Sequence, residues 1–351
     1  MTQRRRLRPM IVAAVTAGAL VAAWARPGGS TRPTQSSSKG VIVFNGEGNN
    51  LNAYAAAPPF TKQTVIRNHD DDPNGLDINA QICFFPGGSK RFVAGEDTGQ
   101  PNPPQGWGIF QMRGSTVGKL SAKKIGKLTP TYQPSSDTAE NYGCGFLSDG
   151  RIVTTDIGDQ ASGPPNGQLI VWFPPFDRTE VRYCKLDVGI ATAGGIFVDG
   201  RDRVYVPSGR PPTSGVLRYS GPFPTSDTAK GGCDGKDGTG APMASSVTKE
   251  QFIGLGNGLA APIAIARAPK NGFYVSSVIS GVINEYDSNG GYVRSVLQPP
   301  AGETLGEQTF STGTPLGIGV GPDGTLYYAD IGITITSEGI GPGAEGTVRR
   351  I

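Results

Sequence analysis

Apolar residues along this chain come in short runs closed by polar turns, and the runs pair up six times. The first members read VIVF (41–44), RFVAG (91–95), RIVTT (151–155), RVYVP (203–207), FYVSS (273–277) and LYYAD (326–330). Their partners read LNAY (51–54), WGIFQM (107–112), QLIVW (168–172), GVLRY (215–219), GVINEY (281–286) and GTVRRI (346–351). Runs this short, rich in β-branched and aromatic residues, predict strands. Five pairs follow a further apolar run: PNGLDI (73–78), NYGCGFL (141–147), AGGIFV (193–198), APIAIA (261–266) and TPLGIGV (314–320). Three of these enter an Asp-Gly turn, at SDGR (148–151), VDGRDR (198–203) and GPDGT (321–325). Asp-Gly between apolar runs predicts a hairpin, because glycine takes the positive φ of a tight turn. A weaker fourth run appears at KQTVI (62–66), EVRYCKL (180–186), EQFIGL (250–255) and YVRSVL (292–297).

The unit is thus strand, turn, strand, loop, strand and a weaker outer strand, returning at a spacing of roughly 50–70 residues. Repeats on this scale stack on one another to bury their faces. The prediction is an all-β protein, a six-bladed β-propeller of four-stranded antiparallel blades. The first repeat lacks its opening strand and the last stops after GTVRRI, which is what closure of the ring by a terminal strand would leave. No long amphipathic helical period follows residue 26.

The first residues alter the picture of charge. Arg4, Arg5, Arg6 and Arg8 precede an apolar run from Met10 to Ala25 that ends Ala23-Trp24-Ala25. This is the pattern of a secretory signal peptide, and it is short for a membrane span. We therefore expect residues 1–25 to be a signal peptide, 26–38 a flexible linker without apolar residues, and 39–351 the propeller. Four of the 32 basic residues lie before Ala25, leaving 28 against 29 acidic ones. A nearly neutral mature chain argues against nucleic acid and against a charged membrane surface. The expectation is a secreted, extracellular monomer without a stable membrane span after processing. Glycine, at 53 of 351 residues, is about twice the usual ~7%, and it punctuates the strands.

Four cysteines, Cys83, Cys144, Cys184 and Cys233, include no C-x-x-C pair, so a zinc site is unsupported. An even count in a secreted chain favours disulfides. Three connectivities are open, besides free buried thiols. The favoured one joins Cys184 to Cys233, each in or beside a long connection in neighbouring repeats, and leaves Cys83 with Cys144.

Three stretches carry a further resemblance: Pro73-Asn74-Gly75-Leu76-Asp77, Asp149-Gly150-Arg151-Ile152, and GPDGTLYYAD (321–330). They resemble NHL repeats and the group that includes gluconolactonase, senescence marker protein 30, paraoxonase and strictosidine synthase. The resemblance implies a small-molecule ligand or substrate at one mouth of the central channel. In the resembling lactonases and esterases, Glu, Asn and Asp there hold calcium, whose hard charge suits oxygen ligands. Glu47, Asn74 and Asn141 stand where that resemblance places metal ligands. Gly194, Pro262 and Pro315 occupy the corresponding places in other repeats and break the pattern. Asp97 and Asp156 would then serve as base or as extra ligands.

Several residues carry two readings. Asp156-Ile157-Gly158 and Asp330-Ile331-Gly332 recur at the end of the second strand, which suits either a loop-bracing role or a ring of carboxylates. The second reading of Asn74 and Asn141 is that they hydrogen-bond neighbouring turns. Asp70-x-Asp72-x-Asn74-Gly75 matches the opening of a calcium loop, but Gln81 stands where the closing Glu belongs. His69 is the single histidine; with no G-x-S-x-G elbow it argues against a serine esterase. A quinone-dependent dehydrogenase would have to use His69 as base. The proline-rich loops around Trp107, Trp172 to Phe176 and Arg210-Pro211-Pro212 suit a ligand platform or packing over a blade edge. The expected function is calcium-assisted hydrolysis of a lactone or ester at the channel mouth. The alternative is a non-catalytic extracellular propeller that binds a ligand or a protein.

Overall fold

The structure, a computed structural model, describes residues 40–97, 106–130, 141–157, 167–306, 310–336, 339–342 and 347–351. The expected signal peptide and linker lie outside the described residues. Among those residues no helix is long and apolar enough to cross a membrane.

Six antiparallel blades follow one another along the chain. Blade 1 holds β1 (Ile42–Asn45), β2 (Leu51–Ala55) and β3 (Lys62–Ile66). Blade 2 holds β4 (Asp77–Phe84), β5 (Arg91–Asp97), β6 (Gly106–Arg113) and β7 (Ser121–Leu128). Blade 3 holds β8 (Asn141–Phe146), β9 (Ile152–Asp156), β10 (Gly167–Trp172) and β11 (Tyr183–Ile190). In blade 4, β12 (Phe197–Val198), β13 (Val204–Ser208) and β14 (Gly215–Ser220) precede an insertion with β15 (Gly235–Lys236) and β16 (Pro242–Met243); β17 (Thr248–Ile253) completes the blade. Blade 5 holds β18 (Pro262–Arg267), β19 (Phe273–Ser277), β20 (Val282–Tyr286) and β21 (Tyr292–Leu297). Blade 6 starts with β22 (Pro315–Val320) and β23 (Leu326–Asp330). A separate hairpin of β24 (Ile333–Thr336) and β25 (Gly339–Pro342) then precedes its third strand β26 (Thr347–Arg350).

The four middle blades have four strands, and the first and last have three among the described residues. The predicted strand exchange at closure is absent there: β1 pairs with β2, and β26 with β23. The ring closes instead by apolar packing. Val41, Val43 and Ala56 of blade 1 meet Tyr327 and Ala329 of blade 6. Alternation along β1 sends Ile42 and Phe44 the other way, into the cluster shared with Phe92 and Phe110 of blade 2. Equivalent clusters fill the junctions of blades 2 and 3, 3 and 4, 4 and 5, and 5 and 6. Each sheet thus buries both faces, which is why its strands read as nearly continuous apolar runs.

The blade 4 insertion crosses to blade 3, where β16 pairs parallel to the outer strand β11. The Cys184–Cys233 disulfide fixes that crossing, and Cys83–Cys144 joins the inner strands of blades 2 and 3. Both favoured pairings are present. Sequence separations of 61 and 49 residues correspond, in the chain-entropy account, to about 4 kcal/mol of stabilisation per bridge.

Near the axis the inner strands approach too closely for side chains at some positions. A Cβ on Gly194 would stand 2.2 Å from the Ile263 carbonyl oxygen. Gly195 N–H instead donates to that oxygen at 2.8 Å. Gln81 of blade 2 donates to the Ile196 carbonyl of blade 4 at 3.0 Å and accepts from the Ile196 N–H at 2.8 Å. Tyr142 and Ile157 of blade 3 pack with Ile263 and Leu316 of blades 5 and 6. The centre is therefore braced and partly filled.

Candidate functional site

The second strands of blades 2 to 6 end on polar residues, Asp97, Asp156, Ser208, Ser277 and Asp330, and so does β1 of blade 1, on Asn45. Antiparallel pairing puts these ends beside the starts of the inner strands, at one face of the ring. Asp77 pairs with Asp97, Asn141 with Asp156, Pro262 with Ser277 and Pro315 with Asp330. This is the face where the sequence places the mouth.

Most of these groups brace loops. Asp330 accepts from the N–H groups of Thr314 (2.8 Å) and Gly332 (3.0 Å) and pairs with Arg349 at 2.9 Å. Ser277 Oγ accepts from the N–H groups of Ala260 and Ala261 and from the Ser280 hydroxyl. Ser208 Oγ accepts from Thr192 N–H and lies 2.8 Å from Thr213 Oγ1. Asp77 Oδ1 accepts the His69 N–H at 2.7 Å, which anchors the turn before β4. The side chain of Asp97 lies outside the described residues.

Blade 3 differs. Asn141, Asp156 and Gln168 stand opposite one another across β8, β9 and β10, and all three are buried. Gln168 Nε2 donates to Asp156 Oδ2 at 3.0 Å. Asn141 Nδ2 donates to the Gly106 carbonyl of blade 2 at 2.6 Å. Gln168 Oε1 is buried without a hydrogen-bond partner among the described residues, as is Asn79 Oδ1 on the inner strand of blade 2. Buried amide oxygens without donors cost free energy unless a cation, a water or a ligand meets them.

A second buried charge stands behind this row. Lys185 of β11 pairs with Asp237 of the insertion, and both side chains are fully buried. Burial lowers the Lys185 ammonium from its ordinary value, with Asp237 and then Asp156 opposing the shift. Burial by itself would raise the Asp237 carboxyl; hydrogen bonds from Lys185 and Thr239 more than offset it and leave it below the usual carboxylate range. The field of Lys185 therefore reaches Asp156. Lys185 is adjacent to Cys184, and Asp237 is four residues from Cys233, so the disulfide holds the pair's two segments together.

The three sequence-derived metal positions occupy different surroundings. Glu47 lies in a single 3-10 turn, Glu47–Asn49. Its carboxylate accepts from the Tyr54 hydroxyl and pairs with Lys62 at 3.1 Å. Burial, followed by that carboxylate, raises the Tyr54 hydroxyl above its ordinary value. Asn74 is exposed in the turn before β4, where its N–H donates to Asp72 Oδ1 at 2.9 Å. Only Asn141 joins the buried row, next to Asp156. Exposed His69 stands apart from that row. Among the described residues, no three His, Cys, Asp or Glu side chains form a group suited to a metal ion.

Trp107, Trp172 and Phe173 are core residues rather than a ligand platform. Trp172 Nε1 donates to Thr154 Oγ1 at 2.8 Å inside the junction of blades 2 and 3. The loop from 98 to 105 lies outside the described residues. Sequence reasoning missed Gln168, Lys185 and Asp237. The available signal was Lys185 itself, a cation between the apolar Cys184 and Leu186 of an outer strand.

No sequence-family model matches the chain, and no curated protein matches it in sequence. Solved structures do match. A luciferin-regenerating enzyme superposes with a TM-score of 0.56 at 12% identity, covering 88% of this chain and 86% of that one. A calcium-binding protein, regucalcin, from Agrobacterium tumefaciens gives 0.51 at 12% identity, with 84% and 79% covered. The chain shares their propeller fold. At these identities the propeller likeness concerns architecture, and the chemistry has to be argued from the residues.

Proposed function

We propose that this protein is a secreted, monomeric propeller that hydrolyses a lactone or ester at the channel mouth, on its blade 3 side. The observation that carries the reading is the aligned, buried row of Asn141, Asp156 and Gln168. Asp156 would take the proton of an attacking water or hold a cation, while Asn141 and Gln168 orient it. Lys185, paired with Asp237, sets a buried cation behind that carboxylate.

The donor set suits calcium in kind, since Asp156, Asn141 and Gln168 all offer oxygen. Further oxygens would have to come from water, from Asp97, or from Glu47 and Asn74, the first of which must leave Lys62. Calcium held there would polarise the substrate carbonyl. The two disulfides are consistent with an oxidising, extracellular setting.

The test is metal analysis of the processed protein, with and without chelator, beside a panel of lactones and aryl esters. The reading predicts bound calcium and turnover that chelator removes and calcium restores. No metal together with no chelator-sensitive turnover would sink it. A non-catalytic ligand-binding propeller is the second reading. It is favoured by the loop-bracing use of Ser208, Ser277 and Asp330, which leaves few groups for chemistry.

A further inference from the structure

On the opposite face lie the turns between first and second strands. Five of these turns close with the same backbone hydrogen bond. Phe85, Leu147, Asp199, Ala268 and Gly321 donate their N–H groups to the carbonyls of Arg91, Arg151, Arg203, Gly272 and Thr325. Arg91, Arg151 and Arg203 are therefore equivalent in structure.

Two of the three are held by their own turn. Arg151 pairs with Asp149 at 2.7 Å and Arg203 with Asp199 at 2.6 Å. These aspartates belong to the Asp-Gly turns seen in the sequence. The blade 2 turn reads Phe85-Pro86-Gly87-Gly88-Ser89-Lys90 and has no aspartate to offer. Arg91 has no carboxylate partner among the described residues. Its guanidinium instead lies over the Phe85 ring, 4.6 Å from the centroid.

That guanidinium borders a cavity of about 430 Å³ between blades 2 and 3, lined also by Phe85, Ile125, Pro174, Pro175 and Phe176. Phe85 and Phe176 meet edge to face, with centroids 6.2 Å apart. The blade 3 loop approaches closely, since a Cβ on Gly126 would stand 2.5 Å from the Phe176 carbonyl oxygen. Asp149 also lines the cavity, but Arg151 neutralises it; Asp177 is exposed at its edge. The volume is in the range of small-molecule sites, and the walls are apolar with one cation available.

We propose that this cavity binds a small carboxylate carrying an apolar ring. The carboxylate meets Arg91, whose planar fork suits two parallel hydrogen bonds. The ring lies against Phe176, Ile125 and the two prolines. The site is separate from the channel mouth and does not depend on the hydrolase reading.

The probe is 3-phenylpropionate, titrated into the disulfide-intact protein by calorimetry or ligand-observed NMR, beside its amide and 3-phenylpropylamine. Saturable binding of the acid, with much weaker binding of the amide and amine, is expected. Arg91→Gln should weaken it roughly tenfold or more, with Arg91→Lys intermediate. Asp177→Asn should strengthen it modestly by removing a like charge. Asp156→Asn, at the other face, should leave it unchanged. Phe176→Ala supplies a second variant that removes the ring contact and keeps the cation. Equal binding of acid and amide, or full affinity in folded Arg91→Gln protein, would overturn the proposal.

Discussion

Blades 3 and 6 carry the same tripeptide at the same place. Asp156-Ile157 opens it in blade 3, and Asp330-Ile331-Gly332 completes it in blade 6. Among the described residues the two carboxylates meet different side chains. Asp330 braces its own loop through Thr314 and Gly332 and meets a partly exposed Arg349. Asp156 faces two neutral amide side chains across the sheet, with a buried lysine within electrostatic reach. Among the described residues, one local motif thus meets different side chains: Arg349 in blade 6 and Gln168 in blade 3.

The largest expected effect comes from the buried pair behind blade 3. Lys185→Met leaves Asp237 buried without its cation and should cost about 3–5 kcal/mol in chemical unfolding. The Lys185→Met/Asp237→Leu double variant should recover most of that loss. A single variant as stable as the parent would show that the pair does not stabilise blade 3.

Asp330→Ala comes next, with an expected loss of about 1–3 kcal/mol, because the Thr314 and Gly332 N–H groups lose their acceptor. Catalytic turnover should survive it in protein that remains folded. Loss of turnover at unchanged stability would move the working carboxylate to blade 6.

Glu47→Gln sharpens the comparison from a third blade. Its ion pair with Lys62 is partly exposed, so denaturation should register a change of no more than about 1 kcal/mol. Chelator sensitivity should stay the same if the blade 3 row alone holds the cation, and should fall if Glu47 is a ligand.

The smallest effect is an acid one. Burial raises the Asp199 carboxyl, but Arg203 and the backbone N–H groups of Arg201 and Arg203 outweigh it, so the folded value lies below the ordinary one. The unfolded chain then binds more protons between the two values. The stabilisation from Asp199 is complete above the unfolded value of about 3.9 and fades as pH falls through the folded value. Asp199→Asn should flatten the decline in melting temperature below about pH 4.

The blades were legible because both signals that define them are local. Asp149-Gly150 sets a hairpin between neighbouring runs, and the apolar alternation of residues such as Val43, Val93 and Val153 requires burial on both sides of a sheet. The pairing of Cys184 with Cys233 was legible because both flank long connections. β7 was harder to see, since Lys123, Lys124 and Lys127 interrupt its apolar pattern. The site was less legible because its partners come from far along the chain. Lys185 finds Asp237 52 residues later, on an insertion that leaves blade 4 to cover blade 3. Asp330 finds Arg349 through β26. Asn74 matched a motif, but its turn leaves it exposed, whereas Asn141 pairs directly with Asp156.

The most direct measurement is turnover of a lactone and aryl-ester panel by Asp156→Asn and Asp330→Asn, with melting temperatures taken on the same samples. The account predicts at least a hundredfold loss of turnover in Asp156→Asn, the scale of losing a general base, with folding preserved, and near-parental turnover in Asp330→Asn with a lowered melting temperature. Parental turnover in folded Asp156→Asn protein would contradict it.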